Sequence, residues 1–312
     1  MKKIIWFLLC IGMIICLSAC GSSREEGKNT KYSFTDDLGR VVQLEKLERV
    51  AVLNASYTEV WALAGGTDSI VGVADNTWTD TEIELPKDCI SLGTHNEISL
   101  EKLIACHPDL VIASTDISQN MEQMEVYEQA GLSVAYFGVT CFDDYLKMLK
   151  ICTELTGQKD CYETYGTAIL AQVEQAKEKV GKVPPKVLFV RASSGGVKAK
   201  NSKGTVLGQM LKEMGCENIA DSDSTLLEDL SMEVILEQDP DFIFAIYMGR
   251  DQEALEEQMR LALFSDGAWG TLSAVKKNRF FVMDNDLFSM KPNEKWGEAY
   301  EILADILYGE AK

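Results

Sequence analysis

The sequence predicts an α/β protein: two Rossmann-like lobes with mostly parallel sheets, joined by one long helix, with a ligand cleft between the lobes. Three observations carry this expectation. Short runs rich in Val, Ile and Phe alternate with helical patterns before residue 157, and do so again after residue 183, as parallel sheets covered on both faces require. Between the two series, residues 160–182 are dominated by Ala, Gln, Glu and Lys. Such a stretch reads as one helix, reaching roughly 30 Å at about 1.5 Å per residue. Finally, SLEKLIACHPDLVIAS from Ser99 nearly recurs as SMEVILEQDPDFIFAI from Ser231.

Taken in order, residues 32–42 alternate and turn at Asp37-Leu38-Gly39, the pattern of a β-hairpin. Residues 49–53 read as a buried strand, 54–57 as a loop, 58–64 as a helix and 70–73 as a strand. Helix 99–106 leads to strand 110–113, helix 120–130 leads to strand 134–137, and helix 142–155 follows. The second series runs through strand 187–190, helices 206–214 and 232–237, strand 242–246, helix 255–263, strand 280–282 and a terminal helix, 292–308. The implied organisation is an N-terminal lobe at 32–157, an interdomain helix at 158–182 and a C-terminal lobe at 183–312.

Ahead of the lobes, Lys2 and Lys3 precede an apolar run, 4–17, followed by Leu17-Ser18-Ala19-Cys20. A charged start, a short apolar core and small residues before a cleavage point describe a secretory signal peptide, 1–19. The run is shorter than the roughly 20 apolar residues of a spanning helix. Leu-Ser-Ala-Cys resembles the bacterial lipobox, which would place a diacylglyceryl anchor on Cys20. Residues 20–31 would then form a polar tether at the outer face of the cell membrane. The whole chain carries 30 basic and 49 acidic residues; without Lys2 and Lys3 the balance is 28 − 49 = −21. So acidic a surface argues against nucleic acid as a partner. Six cysteines lie beyond Cys20, none in a CxxC pair. Disulfides such as Cys152 with Cys161 and free buried thiols both remain open at this level.

In the repeated unit Ser99 and Ser231 are N-cap residues, and Glu101 and Glu233 fall in the first turn, where the helix dipole favours a carboxylate. Apolar residues 100, 103 and 104, and 232, 235 and 236, are expected to face inward. Proline then closes each connection ahead of a buried strand. The dipole alone explains a glutamate in each helix, but not why both lobes place one at the same point. Ligands of open α/β sheets bind beyond the carboxyl ends of the strands. The N-terminal candidates there are Asn54, Tyr57, Trp78, His95 and Thr115. The C-terminal ones are Arg191, Lys200, Tyr247, Arg250, Phe288 and Lys291. Aromatic walls with a few polar anchors suit a large chelate. Within this acidic chain, residues 191–203 hold four basic residues and no acid, a complement for a ligand bearing carboxylates.

The runs RVAVLNASYTEVWALAGGTDSIVGVAD, SLGTHNEISLEKLIACHPDLVIAS, VLGQMLKEMGCENIADSD, SMEVILEQDPDFIF and KPNEKWGEAYEILADILYG, in this order after a lipobox, resemble bacterial substrate-binding lipoproteins. These feed ABC importers of iron–siderophores, haem and vitamin B12. The resemblance implies a monomeric receptor that captures a metal chelate, or alternatively haem or a corrinoid, and needs no resident cofactor. It further implies that Glu101 and Glu233 dock on arginines of a permease dimer driven by a cytoplasmic ATPase. Two rival readings are weaker. A bare zinc or manganese site needs converging ligands, and the chain has only His95 and His107. An enzyme on this architecture lacks GxSxG, HExxH and Walker A signatures. His95 reads either as an axial ligand for haem or cobalt, with Met290 or Tyr57 opposite, or as a loop histidine bonded to backbone.

Overall fold

The computed structural model describes residues 31–249, 251–265 and 267–309. Strands β1 (Tyr32–Thr35) and β2 (Val41–Leu44) form the expected antiparallel hairpin. Arg40, just past its turn, pairs with Asp36 at 2.8 Å and donates to Val134 O, tying the hairpin to the first lobe. That lobe is a five-stranded, all-parallel sheet of β3 (Val50–Val52), β4 (Ile70–Val73), β5 (Ile90–Ser91), β8 (Leu110–Ser114) and β9 (Val134–Phe137), ordered β5-β4-β3-β8-β9. A small hairpin of β6 (Gly93–Thr94) and β7 (Glu97–Ile98) follows β5. Every residue of β8 is buried, so its apolar run is continuous rather than alternating, as a strand covered on both faces demands.

The second sheet contains β10 (Lys186–Ser193), β11 (Gly196–Ala199), β12 (Glu217–Asn218), β13 (Phe242–Tyr247) and β14 (Phe280–Val282), with path β11-β10-β13-β14 and β12 beside the start of β10. All pairings are parallel except β10 with β11. Each sheet has its own outer cluster, around Leu103 and Tyr136 in one lobe and Ile235 and Ile243 in the other. The inner faces share a third. It runs from Val52 and Tyr57 through Phe142 and Leu149, then Ile169 and Val173, to Phe189, Phe244 and Trp296.

The helix between the lobes is Lys159–Tyr162, a π turn Glu163–Thr167 and Ala168–Lys177 end to end. It ends at Lys177 rather than 182, before Gly181 and the Pro184-Pro185 pair, whose rings are incompatible with helix interior. In the π turn the carbonyl of Tyr165 accepts the Tyr145 hydroxyl, 2.9 Å away. The terminal helix Trp296–Tyr308 lies along it. An added Cβ at Gly297 would stand 2.8 Å from Gln172 Cβ, so only glycine allows that approach.

Several expectations need correction. The first helix is Ala55–Leu63, with Asn54 as its N-cap, so 54–57 is mostly helix rather than loop. Helix 120–130 is two pieces, Ser118–Glu122 and Met124–Gln129. Ile104 faces outward, 41% exposed, because the helix Leu100–Ala105 is too short to bury more than the Leu103 side. Cys152 and Cys161 are unpaired, and all six cysteines among the described residues are free thiols.

The repeated unit is a real structural duplication. Ser99 and Ser231 cap helices Leu100–Ala105 and Met232–Gln238. His107 and Asp239, again 132 apart, both take a left-handed backbone, φ 44° and 42°, immediately before proline. Asp109 Oδ2 then accepts from Glu48 N and Arg49 N at 2.9 and 3.0 Å, and Asp241 Oδ2 from Lys186 N at 3.0 Å. Each aspartate thus ties its strand to the start of the neighbouring central strand. Burial works against the Asp109 carboxylate, but the two backbone donors and Lys46 outweigh it and hold its pKa below the usual range.

Asn293 spans the lobes from a buried left-handed position, φ 52°. Its Nδ2 donates to Ser56 O at 2.9 Å and to Glu59 Oε2 at 2.7 Å. Asn293→Gly keeps the backbone and loses both bonds, so it is expected to lower unfolding stability by about 1–3 kcal/mol, read as a urea midpoint. Asp109→Ala should cost about 1–2 kcal/mol at pH 7. A lowered carboxylate pKa contributes stability above the unfolded value, so the gap between Asp109→Ala and the parent should close as pH falls through about 4 and below.

Candidate functional site

The carboxyl ends of the parallel strands point from both lobes into one cleft. On the N-terminal side β3 ends at Asn54, whose Oδ1 accepts from Ser56 N and so starts the first helix. Beyond β4, a short helix Thr77–Asp80 holds Trp78 outward, 47% exposed. His95 lies half-buried at the tip of the β6–β7 hairpin. Past β8 come Thr115, half-buried, and Asp116. On the opposite side β10 ends with Arg191 and Ser193, and β13 with half-buried Tyr247 and exposed Met248. The two sides touch: Lys291 Nζ meets Asp116 Oδ2 at 3.2 Å across the cleft.

Two sequence candidates are structural instead. Tyr57 is wholly buried, and its hydroxyl donates to Phe137 O while accepting from Val139 N and the Ser114 hydroxyl. Burial raises its pKa well above the ordinary phenol. Helical phase explains this, since a chain that becomes helical at Ala55 turns residue 57 into the core. It therefore has no face to offer a ligand, and cannot stand opposite His95 as a metal ligand. Phe288 is likewise buried, 2% exposed, in the shared inner core. Lys291 is at the cleft, but as the partner of Asp116 rather than as a free cation. Arg250 and Cys20 lie outside the described residues. Asp116 and Met248 lie in loop stretches 115–118 and 247–250 that the sequence already places past β8 and β13, but one sequence gives no reason to single out Asp116 from other surface acids.

Arg191, Lys198 and Lys200 stay together. Arg191 stands directly across from Lys198 in the β10–β11 ribbon. Partial burial lowers the Arg191 pKa, and Lys200 is lowered by burial and by the charges of Arg191 and Lys198. Glu101 and Glu233 are exposed on the first turns of the two duplicated helices. Among the described residues no three His, Cys, Asp or Glu side chains converge as a metal site, and no helix is long and apolar enough to cross a membrane.

A family model described as periplasmic binding protein matches residues 50–287, 238 of the 312 residues. The chain belongs to that family. Its task is accordingly to bind a solute, not to turn one over. Similar proteins include the iron-uptake system-binding protein of Bacillus subtilis (strain 168), 21% identical over 92% of each chain. The Fe(3+)-citrate-binding protein YfmC of the same organism is 23% identical over 86% of this chain and 83% of its own. Among solved structures, an ABC transporter substrate-binding protein from Listeria monocytogenes EGD-e superposes with a TM-score of 0.67 at 20% identity, over 84% of this chain and 99% of its own. This binding protein thus shares the two-lobed frame of its relatives.

Because the Tyr57 hydroxyl serves the fold, Tyr57→Phe should lower stability by about 1–3 kcal/mol by leaving the buried Val139 N–H without its acceptor. Affinity for any cleft ligand should stay unchanged in a fluorescence titration of the same variant.

Proposed function

We propose that this chain is the extracytoplasmic receptor of an ABC importer, lipid-anchored at Cys20 and monomeric, that captures an iron–siderophore or related metal chelate. It would present this cargo to a permease dimer whose cytoplasmic ATPase drives uptake. In this reading residues 32–157 and 183–312 are the two lobes and 158–182 the interdomain helix. The observation that carries the reading is the duplicated helix start. Glu101 and Glu233 are exposed at matching points of the two lobes, on units alike down to the left-handed residue before each proline. The helix dipole accounts for one favourable carboxylate; a two-fold permease face accounts for a matched pair. The names of the relatives, which cite iron uptake and Fe(3+)-citrate, support the cargo class.

Trp78, Thr115, Arg191, Lys200 and Tyr247 are the cleft residues through which this chain would hold its cargo, with Asn54 and His95 at the margin. The cleft closes little on loading in this account, because the inner core passes unbroken from one lobe to the other.

Charge reversal at both acids, Glu101→Lys with Glu233→Lys, should abolish chelate uptake by intact cells while the purified variant binds the chelate as the parent does. Undiminished uptake would refute the docking role. The absorption spectrum of the protein isolated from its host separates the cargoes. A ferric charge-transfer band supports the chelate reading, whereas a Soret band or corrinoid spectrum would replace it with haem or cobalamin.

A further inference from the structure

We propose that the C-terminal side of the cleft selects a metal chelate bearing free carboxylates, seated on a three-cation patch of Arg191, Lys198 and Lys200; this rests on the chelate-receptor reading above. The placement follows from strand register. Val190 and Ala192 of β10 and Ala199 of β11 belong to the outer core of the lobe, and Val190 pairs with Ala199. Alternation puts Arg191, Lys198 and Lys200 together on the opposite face. Arg191 is directly opposite Lys198, and Lys200 N donates to Phe189 O at 2.8 Å, which sets Lys200 beside the next inward-facing position.

Like charges directly opposite one another across strands oppose folding. Elsewhere several cations are paired with acids, as at Lys46 with Asp109 and Lys177 with Glu213. Here, among the described residues, no hydrogen bond or ion pair reaches the guanidinium of Arg191 or the Nζ of Lys198 or Lys200; the Asn218 amide donates only to the Lys200 carbonyl. The surplus is not for want of acids, since the chain holds 49 against 30 basic residues. Arg191 and Lys200 are moreover half-buried, where charge is less screened and an arriving anion is held more strongly. A solvated lysine turn would account for Lys198, which is exposed, but not for the two cations withdrawn from water beside it. Lys291 does not add to the patch, because Asp116 already neutralises it.

The chemistry that fits is a polycarboxylate with two or three oxygen pairs left free by the metal. The planar guanidinium of Arg191 can take one carboxylate with two parallel bonds, and the ammonium groups can take others as point charges. A neutral hydroxamate chelate has no anionic group for this cluster, and a cobalamin offers only its single phosphodiester against three cations.

The test uses the purified protein with ferric citrate, a neutral ferric trihydroxamate and cyanocobalamin as probes, read by quenching of tryptophan fluorescence. Ferric citrate should bind most tightly, weaken at least tenfold in the Arg191→Gln, Lys198→Gln double variant, and weaken with added salt in the parent. Independently of any ligand, Lys198→Gln should raise the melting temperature at low ionic strength, and salt should erase the rise. Ferric citrate affinity unchanged in the double variant would overturn the proposal, as would a melting temperature that stays level or falls. Tighter binding of the trihydroxamate or of cyanocobalamin, unaffected by the substitutions, would overturn the charge assignment and leave a chelate receptor standing. Binding of none of the three would remove the chelate reading as well.

Discussion

The arrangement of the whole molecule depends on one apolar core shared between two sheets. Ordinarily each lobe of a two-lobed protein closes its own interior and the joint is a linker. Here the inner faces of both sheets, the helix Phe142–Thr156, the interdomain helix and the terminal helix contribute to one continuous cluster. Phe142 and Tyr145 from the first lobe pack on Trp296 of the terminal helix, with ring centroids 5.9 and 6.4 Å apart. Opening the cleft by a large hinge would pull such contacts apart, and close-packed interiors resist that. The shared packing behind the lobes thus opposes a wide hinge between them.

Polar ties reinforce the same geometry. Asn293 reaches from the C-terminal lobe to Ser56 and Glu59 on the first helix. Burial raises the Glu59 pKa and the Asn293 bond opposes the rise. Tyr300 donates to Glu213 at 2.8 Å, and Glu213 also meets Lys177 of the interdomain helix at 2.9 Å. These groups fix the terminal helix against both the interdomain helix and the helix Val206–Glu213. On the cleft side, in contrast, Lys291 with Asp116 is a single ion pair, of the partly exposed kind that holds weakly in water. The back of the molecule is strongly joined, and the mouth only lightly.

The duplication links the two ends of this design. Each repeated unit makes an aspartate-to-backbone tie just before its strand and exposes a glutamate at its helix start. The positions that must be alike for folding, Ser, Pro and Asp, are alike because both lobes solve the same strand-crossing problem. The glutamates take no part in those ties, and their match is what a two-fold partner would read. The strand ends show no such symmetry: the first lobe carries Trp78, Thr115 and Asp116 there, the second Arg191, Lys198 and Lys200.

How much of this was legible in the sequence follows from the range of each interaction. Local pattern alone determined the α/β class, the two series of strands, the long helix and the repeat, because alternation, caps and Pro-Asp closures act within a few residues. It also pointed to the basic stretch 191–203. It could not tell that Tyr57 and Phe288 turn inward, since a shift of a few residues in a helix start moves a side chain from surface to core. Nor could it show that Lys291 is neutralised by Asp116, 175 positions away, or that Arg191 and Lys198 stand opposite each other. Such pairings depend on register and on the docking of one lobe against the other, and these are decided only when the shared core closes.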